Sequence, residues 1–153
     1  MHASSSHPLT KIEAGAIVRA ARVRAGLTWA ELAALLDAPV VWSTAALLGQ
    51  HPLSAEQAKR AGELLELGDD VIVALRDQPY RGSDPVAAAD PTIYRFHEAI
   101  SVYGPALKEL IHEEFGDGIM SAINFSVDIA RRPHPDGDRV VVTLDGKFLD
   151  YRW

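Results

Sequence analysis

The sequence has no cysteine among its 153 residues. This absence excludes disulfide bonds, thiolate nucleophiles, cysteine-ligated zinc and iron–sulfur clusters, and it suits a reducing compartment, so we expect a cytoplasmic protein. No uninterrupted apolar run approaches the roughly 20 residues that a membrane-spanning helix needs, so we expect no membrane association. The first eight residues are mostly polar and lack an apolar segment, so we also expect no signal peptide.

Positive charge is scarce, because the chain has 15 Lys and Arg residues and 21 Asp and Glu residues, which gives a net charge of -6. Proteins that bind nucleic acid gain much of their affinity by neutralising phosphates, so an acidic chain is a poor general binder of nucleic acid. Apolar residues make up 48% of the chain and charged residues 24%, as in ordinary globular proteins. We therefore expect a folded chain with one core or two small linked cores.

The common motifs for nucleotides and metals are also missing. Neither type of glycine-rich nucleotide loop occurs, so we expect neither ATP nor a dinucleotide. His97 and His112 fall in predicted helices, and neither has a second ligand at the spacing of a zinc motif. The sequence therefore predicts no cofactor and no metal.

Residues 11–77 carry the pattern of five short helices. Apolar residues at helical spacing mark the first helix and predict its buried stripe: Ile12, Ala16, Ala20 and Val23. We expect this helix to end at Gly26 and the fourth helix to end at Gly68, because glycine accepts the left-handed conformation that follows many helices.

Two capping boxes predict helix starts in this region. Thr28 precedes Glu31 by three residues, as Ser54 precedes Gln57, so each pair can satisfy two backbone amides. The helix after Thr28 and the next one, within residues 39–49, resemble the helix-turn-helix of repressor-like DNA-binding proteins. The second of these helices lacks the basic side chains that read bases or bind phosphates, so we expect a helix-turn-helix-like domain that does not bind DNA.

The remaining chain predicts a linker over residues 78–89 and a second domain over 90–153. Asp90-Pro91 predicts a helix start, and Gly104-Pro105 should break that region into two helices. Alternating apolar residues from Ile123 to Ile129 predict a strand, and Val140-Val141-Val142 predicts another. Asp145-Gly146 predicts a hairpin turn leading into Phe148.

The sequence thus predicts an α+β, mainly helical chain with a five-helix repressor-like domain and a small C-terminal helix and strand domain. Two or three short strands seldom form a stable sheet alone. We therefore expect a partner subunit to complete the C-terminal domain, which makes the protein an obligate oligomer.

The candidate site residues are Arg95, Glu98 and Ser121. Arg95 and Glu98 are three residues apart on one predicted helix, so their side chains share a face, as in an ordinary surface salt bridge. The segment 115–122 places two glycines before Ser121. Such a turn can direct backbone amides toward an anion, but it more often only ends the preceding helix. From the residues alone, the interpretation is a pocket for a small anion with one carboxylic acid able to move a proton.

The residues resemble the cyanase family, also called cyanate hydratase or cyanate lyase. Four blocks in the family's order carry this resemblance: residues 44–50, 90–98, 115–125 and 143–149. The resemblance implies bicarbonate-dependent decomposition of cyanate to ammonia and carbon dioxide through carbamate. It places the catalytic Arg, Glu and Ser on Arg95, Glu98 and Ser121, with bicarbonate as co-substrate and no cofactor.

The resemblance also implies a homo-oligomer, a ring-like decamer built from dimers, with active sites between subunits and intertwined C-terminal halves. The alternative is a helix-turn-helix DNA-binding regulator with a small-anion-sensing oligomerisation domain. That alternative accounts for the N-terminal fold alone.

Overall fold

The computed structural model describes residues 7–80 and 89–152. The chain divides into two compact units, residues 1–83 and 84–153. Most of the predicted linker lies outside the described residues, and the predicted domain boundaries stay a prediction.

The elements of the described residues confirm the predicted α+β, mainly helical class. In chain order they are α1 (Lys11–Ala25), α2 (Trp29–Leu36), α3 (Val40–Leu47), α4 (Ala55–Leu65), α5 (Asp69–Arg76), α6 (Pro91–Phe115), β1 (Gly118–Arg132) and β2 (Arg139–Asp150).

Side-chain caps begin three of the five helices in the first unit. Both predicted capping boxes are confirmed, with Thr28 and Glu31 at the start of α2 and Ser54 and Gln57 at the start of α4. A third box at Thr10 begins α1. Each box satisfies backbone amides that have no partner within the helix, so short helices begin at defined residues.

Two glycines predicted to end helices have different roles. Gly26 ends α1 in the left-handed conformation, with φ 66°, as predicted. The prediction for Gly68 was wrong, because α4 already ends at Leu65 and Glu66 takes the left-handed conformation with φ 53°. Gly68 instead stands at the N-terminal cap of α5.

All five helices contribute to the core of the first unit, each with side chains that are almost fully buried: Ala14, Val18, Leu32, Leu47, Leu65 and Leu75. The predicted stripe of α1 was wrong, since Ile12 and Val23 are exposed. A different face of α1 is buried, and this helix packs closely on the chain that follows α3. The buried residues of α1 are Lys11, Ala14, Gly15, Val18 and Ala21. A Cβ atom on Gly15 would lie only 2.9 Å from the carbonyl oxygen of Leu48.

In the second unit, α6 is a single helix of 25 residues. Asp90 begins it by accepting hydrogen bonds from the amides of Thr92 and Ile93. The predicted break at Gly104-Pro105 was wrong, because α6 continues past Pro105. Proline removes one backbone donor, and the apolar positions on either side keep one continuous helical spacing.

The two strands form one antiparallel hairpin and are 15 and 12 residues long, so the prediction of short strands was wrong. The turn lies at residues 133–138, where Gly137 has a φ of 112°. Asp145-Gly146 is not a turn, because it lies inside β2, where Gly146 pairs with Phe125. The pairing shifts between Met120 and Phe125, so β1 carries a bulge opposite that part of β2.

The second unit has no apolar core of its own among residues 89–152. No residue of α6 is buried, and large apolar side chains on the helix and both strands are exposed. The buried residues of this described part are Gly118 and Ser121. A helix and one hairpin therefore leave their apolar faces uncovered within a single chain.

Among the described residues, no single helix is long and apolar enough to cross a membrane, although α2 and α3 together, bent by 95°, meet the length and composition criteria.

Candidate active site

Arg95 and Glu98 lie near the start of α6 and contact each other, as their spacing predicted. The Arg95 Nη1 donates a hydrogen bond of 2.9 Å to Glu98 Oε2, and their side chains are 70% and 54% exposed. An exposed pair of this kind stabilises a helix by only about 0.3–0.5 kcal/mol. The pair therefore contributes little to the stability of the protein. The guanidinium donors that do not contact Glu98 remain accessible to an anion.

Ser121 is only 6% exposed and lies in the bulge of β1. Its Oγ accepts hydrogen bonds from the amides of Ile123, at 3.1 Å, and Asn124, at 3.0 Å. A serine hydroxyl has two acceptor sites and one donor. Both acceptor sites are thus used locally, and the hydroxyl proton remains for donation to another group.

Of the two interpretations of the turn before Ser121, the structure supports the one in which the turn ends the preceding helix. The Gly116 amide donates to the carbonyl of His112 and ends α6. The amides of Ile123 and Asn124 hold the Ser121 Oγ instead of pointing at a free anion. Sequence reasoning missed this arrangement, although a serine followed by free amides two and three residues later is a known local pattern.

The structure brings Arg95 and Glu98 together but does not join them to Ser121. Among the described residues of one chain, no hydrogen bond or ion pair connects Ser121 with either of the other two. Both parts of the site belong to the second unit, whose apolar faces are uncovered. In the described part of the chain, no three His, Asp or Glu side chains are grouped so that they could hold a metal ion.

Comparisons with known proteins agree across both units. The family described as cyanate hydratase, N-terminal, matches residues 9–79, and the family described as cyanate lyase C-terminal domain matches residues 85–153. The chain belongs to the cyanate hydratase family. This membership confirms the resemblance that the four sequence blocks indicate.

Individual relatives resemble the chain over almost their whole length. The cyanate hydratase of Mycolicibacterium vanbaalenii is 59% identical over 95% of each chain. That of Thiobacillus denitrificans is 52% identical over 94% of this chain and 99% of its own. The crystal structure of cyanase from T. urticae matches with a TM-score of 0.79 at 39% identity, covering 89% of this chain and 96% of that one.

These relatives give no support to the DNA-binding alternative. The structure also leaves α3 without a charged side chain, since its sequence is VVWSTAAL. A reading helix needs donors and acceptors for base edges and cations for phosphates. The first unit of this chain therefore has a helix-turn-helix-like order of elements without a basic reading helix.

Proposed function

We propose that this protein decomposes cyanate with bicarbonate, giving ammonia and carbon dioxide through carbamate. The observation that carries the proposal is the match to proteins named cyanate hydratase, at up to 59% identity over 95% of the chain. In the balanced reaction, one cyanate, one bicarbonate and two protons give one ammonia and two carbon dioxide molecules.

In the proposed reaction, a bicarbonate oxygen attacks the cyanate carbon, and the cyanate nitrogen gains one added proton and the proton that bicarbonate carried. The C–O bond to the former bicarbonate carbon then breaks and releases carbon dioxide, leaving carbamate. Carbamate takes up a second proton and separates into ammonia and carbon dioxide without assistance. The protein has to bring two anions together and to manage the first proton.

Arg95 is the residue that we propose binds the anions. Two unit negative charges roughly 4 Å apart repel by about 4 kcal/mol near a protein surface. A guanidinium group is always charged and can hold an oxyanion with two parallel hydrogen bonds, which offsets this repulsion. The Arg95 side chain has donors beyond the one that contacts Glu98, since only Nη1 makes that bond.

Glu98 and Ser121 complete the proposed machinery. Glu98 lies 2.9 Å from Arg95, where it can pass a proton to a bound substrate. Ser121 donates its hydroxyl proton to the oxygen on which negative charge develops. Its two amide partners strengthen this donor, because hydrogen bonds in a chain polarise one another.

We further propose that the site is completed between subunits of a homo-oligomer, a decamer built from dimers. The uncovered apolar faces of the second unit support an oligomer, and a two-fold contact would place a second copy of Arg95 nearby. Covering the site would also remove water from an Arg and Glu pair that is exposed in one chain. A cytoplasmic location stays a prediction.

The test is ammonia release from cyanate by the purified protein in buffer depleted of carbon dioxide, with and without added bicarbonate. We expect ammonia only when bicarbonate is present. An intact, assembled sample that releases no ammonia under either condition would contradict the proposed activity. Ammonia released equally without bicarbonate would contradict the two-substrate reaction.

A further inference from the structure

The bulge in β1 has an unusual size. Met120 pairs with Phe148, and the next paired residue on β1 is Phe125, which faces Gly146. The four residues 121–124 on β1 therefore face only Lys147 on β2. Ser121 begins this bulge, and the two amides that bind its Oγ lie within it.

Gly146 lies against the bulge and has no room for a side chain. A Cβ atom there would lie 2.5 Å from the carbonyl oxygen of Ser121 and 3.0 Å from the ring of Phe125, and it would overlap the side chain of Met120. Gly146 is not among the glycines with positive φ. Space, and not backbone conformation, is thus the reason that this position requires glycine.

The contact between Gly146 and Ser121 involves backbone, which cannot move aside as a flexible side chain can. Any shift of the Ser121 carbonyl moves the peptide that leads to Ala122 and then to the amides of Ile123 and Asn124. These amides fix the Ser121 Oγ at 3.1 and 3.0 Å. Displacements of about 1 Å in a catalytic group can lower rates by about 100-fold.

We propose that Gly146 is a positioning residue for Ser121. It leaves the space in which β1 can bulge, and the bulge directs two amides onto the Ser121 Oγ, so that the hydroxyl acts only as a donor. The inference rests on the proposed function for the identity of the anion that accepts this bond. The geometry of the bulge does not depend on that identity.

The test compares Gly146→Ala with Gly137→Ala in the full-length, assembled protein. Gly137 lies in the hairpin turn of the same two strands, has a φ of 112°, and has no atom within 4 Å of an added Cβ. Its substitution therefore strains the same hairpin without touching the bulge. Both variants are made with and without Ser121→Ala.

The first readout is residue-resolved amide hydrogen exchange, which needs no activity. Ser121→Ala and Gly146→Ala should each speed exchange at Ile123 and Asn124 by at least about 10-fold, because both disturb the bonds that protect these amides. Gly137→Ala should leave both amides as in the unsubstituted protein. Unchanged exchange at these amides in Gly146→Ala would overturn the proposal, even if the protein had no activity toward cyanate.

The second readout is kcat/KM for ammonia release. Gly146→Ala should lower it by about 10- to 100-fold, and Ser121→Ala by about 100-fold or more. If Gly146 acts through Ser121, adding Gly146→Ala to Ser121→Ala should cost less than about 3-fold, because the hydroxyl that it positions is already absent, whereas Ser121→Ala should keep its full cost in the Gly137→Ala background. Independent, multiplying losses in the Gly146→Ala background would overturn the proposal.

A third variant covers the case in which Gly146→Ala does not assemble. Met120→Ala combined with Gly146→Ala removes the overlap with the side chain and leaves the overlap with the Ser121 carbonyl. We expect this double variant to keep fast exchange at Ile123 and Asn124. A double variant that instead exchanges both amides slowly again, and that loses the full amount of kcat/KM when Ser121→Ala is added, would show that Gly146 serves only side-chain packing. That result would overturn the proposal.

Discussion

A guanidinium group and an ammonium group carry the same charge but offer it differently. Arg95 presents a planar group that can bind an oxyanion through two parallel bonds, whereas lysine presents one compact charge. We predict that Arg95→Lys lowers kcat/KM for ammonia release by about 10- to 100-fold. Steady-state kinetics with varied bicarbonate would measure this loss.

Arg60→Lys is the matched control for that substitution. Arg60 also pairs with a glutamate on its own helix, with Nε 3.1 Å from the Oε1 of Glu56. It lies in the first unit, so its replacement should change kcat/KM by less than about 2-fold. Full activity in Arg95→Lys would contradict two-point anion binding by Arg95.

Proton transfer by Glu98 can be tested with glutamine, which keeps the shape of the side chain but cannot transfer a proton. We predict that Glu98→Gln lowers kcat by about 100-fold or more, the usual size of a general acid or base contribution. Glu56→Gln alters the corresponding glutamate of the Arg60 pair and should leave kcat unchanged. A Glu98→Gln enzyme with normal kcat would exclude proton transfer by this residue.

At the residue scale, sequence reasoning succeeded where the deciding contacts are local. Thr28 and Glu31 are three residues apart, and their bonds need no other part of the chain. The burial of Ser121 depends on strand pairing, which the sequence does not display. Gly146 was interpreted as a turn residue because Asp-Gly is a strong hairpin signal, yet the space at this position depends on the bulge across the strand pair.

Two helices of the first unit begin with capping boxes whose glutamate side chains change charge with pH. Hydrogen bonds from the backbone amide and the hydroxyl of Thr28 hold the pKa of Glu31 below its ordinary value of 4.5. A lowered carboxyl pKa adds stability that is fully present above pH 4.5 and is lost as pH falls through the folded-state pKa. Bonds from Thr10 lower the pKa of Glu13 in the same way.

We predict that Glu31→Gln removes this contribution at α2. The melting temperature of the variant should lie below that of the unsubstituted protein at pH 6, and the gap should close as pH falls below 4.5. Thermal unfolding followed by circular dichroism between pH 3 and 6 would measure the gap. A gap for Glu31→Gln that stays constant over this pH range would contradict the assignment.

At the scale of elements, α6 and α1 each differ from what their local sequence patterns predict. Pro105 predicts a break, but one lost backbone bond did not end a helix that continues for ten residues beyond it. In α1, apolar spacing predicted a buried stripe that includes Ile12 and Val23, yet a different face of the helix is buried, on which Gly15 closely approaches Leu48. In α1, packing against the segment after α3 outweighed the pattern of a short window. No residue of α6 is buried, so packing within the chain does not explain its continuation past Pro105, where proline removes one backbone donor.

At the scale of the whole molecule, the second unit requires another surface to cover it. Exposed apolar side chains follow α6 and both strands, among them Leu110, which is 61% exposed. We predict that Leu110→Glu reduces the assembled mass measured by light scattering and lowers activity with it. Val23→Glu, at a residue 63% exposed in the first unit, should keep the assembly.

Concentration dependence gives a second measure of the same prediction. If the second unit folds only when another copy covers it, the unfolding midpoint should rise with protein concentration. A folded species of 16.6 kDa with a midpoint that does not change with concentration would contradict obligate assembly. Assembly retained at full mass in Leu110→Glu would show that this part of α6 is not the covered face.

The sequence by itself determined the family, the helical first unit, the starts of two of its three capped helices and the pairing of Arg95 with Glu98. These features depend on residue identity and on contacts within four residues. Only the tertiary structure decided that α6 continues past Pro105, that the strands form one long hairpin, and that Ser121 is buried with two amides on its hydroxyl. The hairpin and the burial of Ser121 depend on contacts between residues far apart in the chain, such as Gly146 with Ser121, and a local sequence pattern does not contain the energy of those contacts.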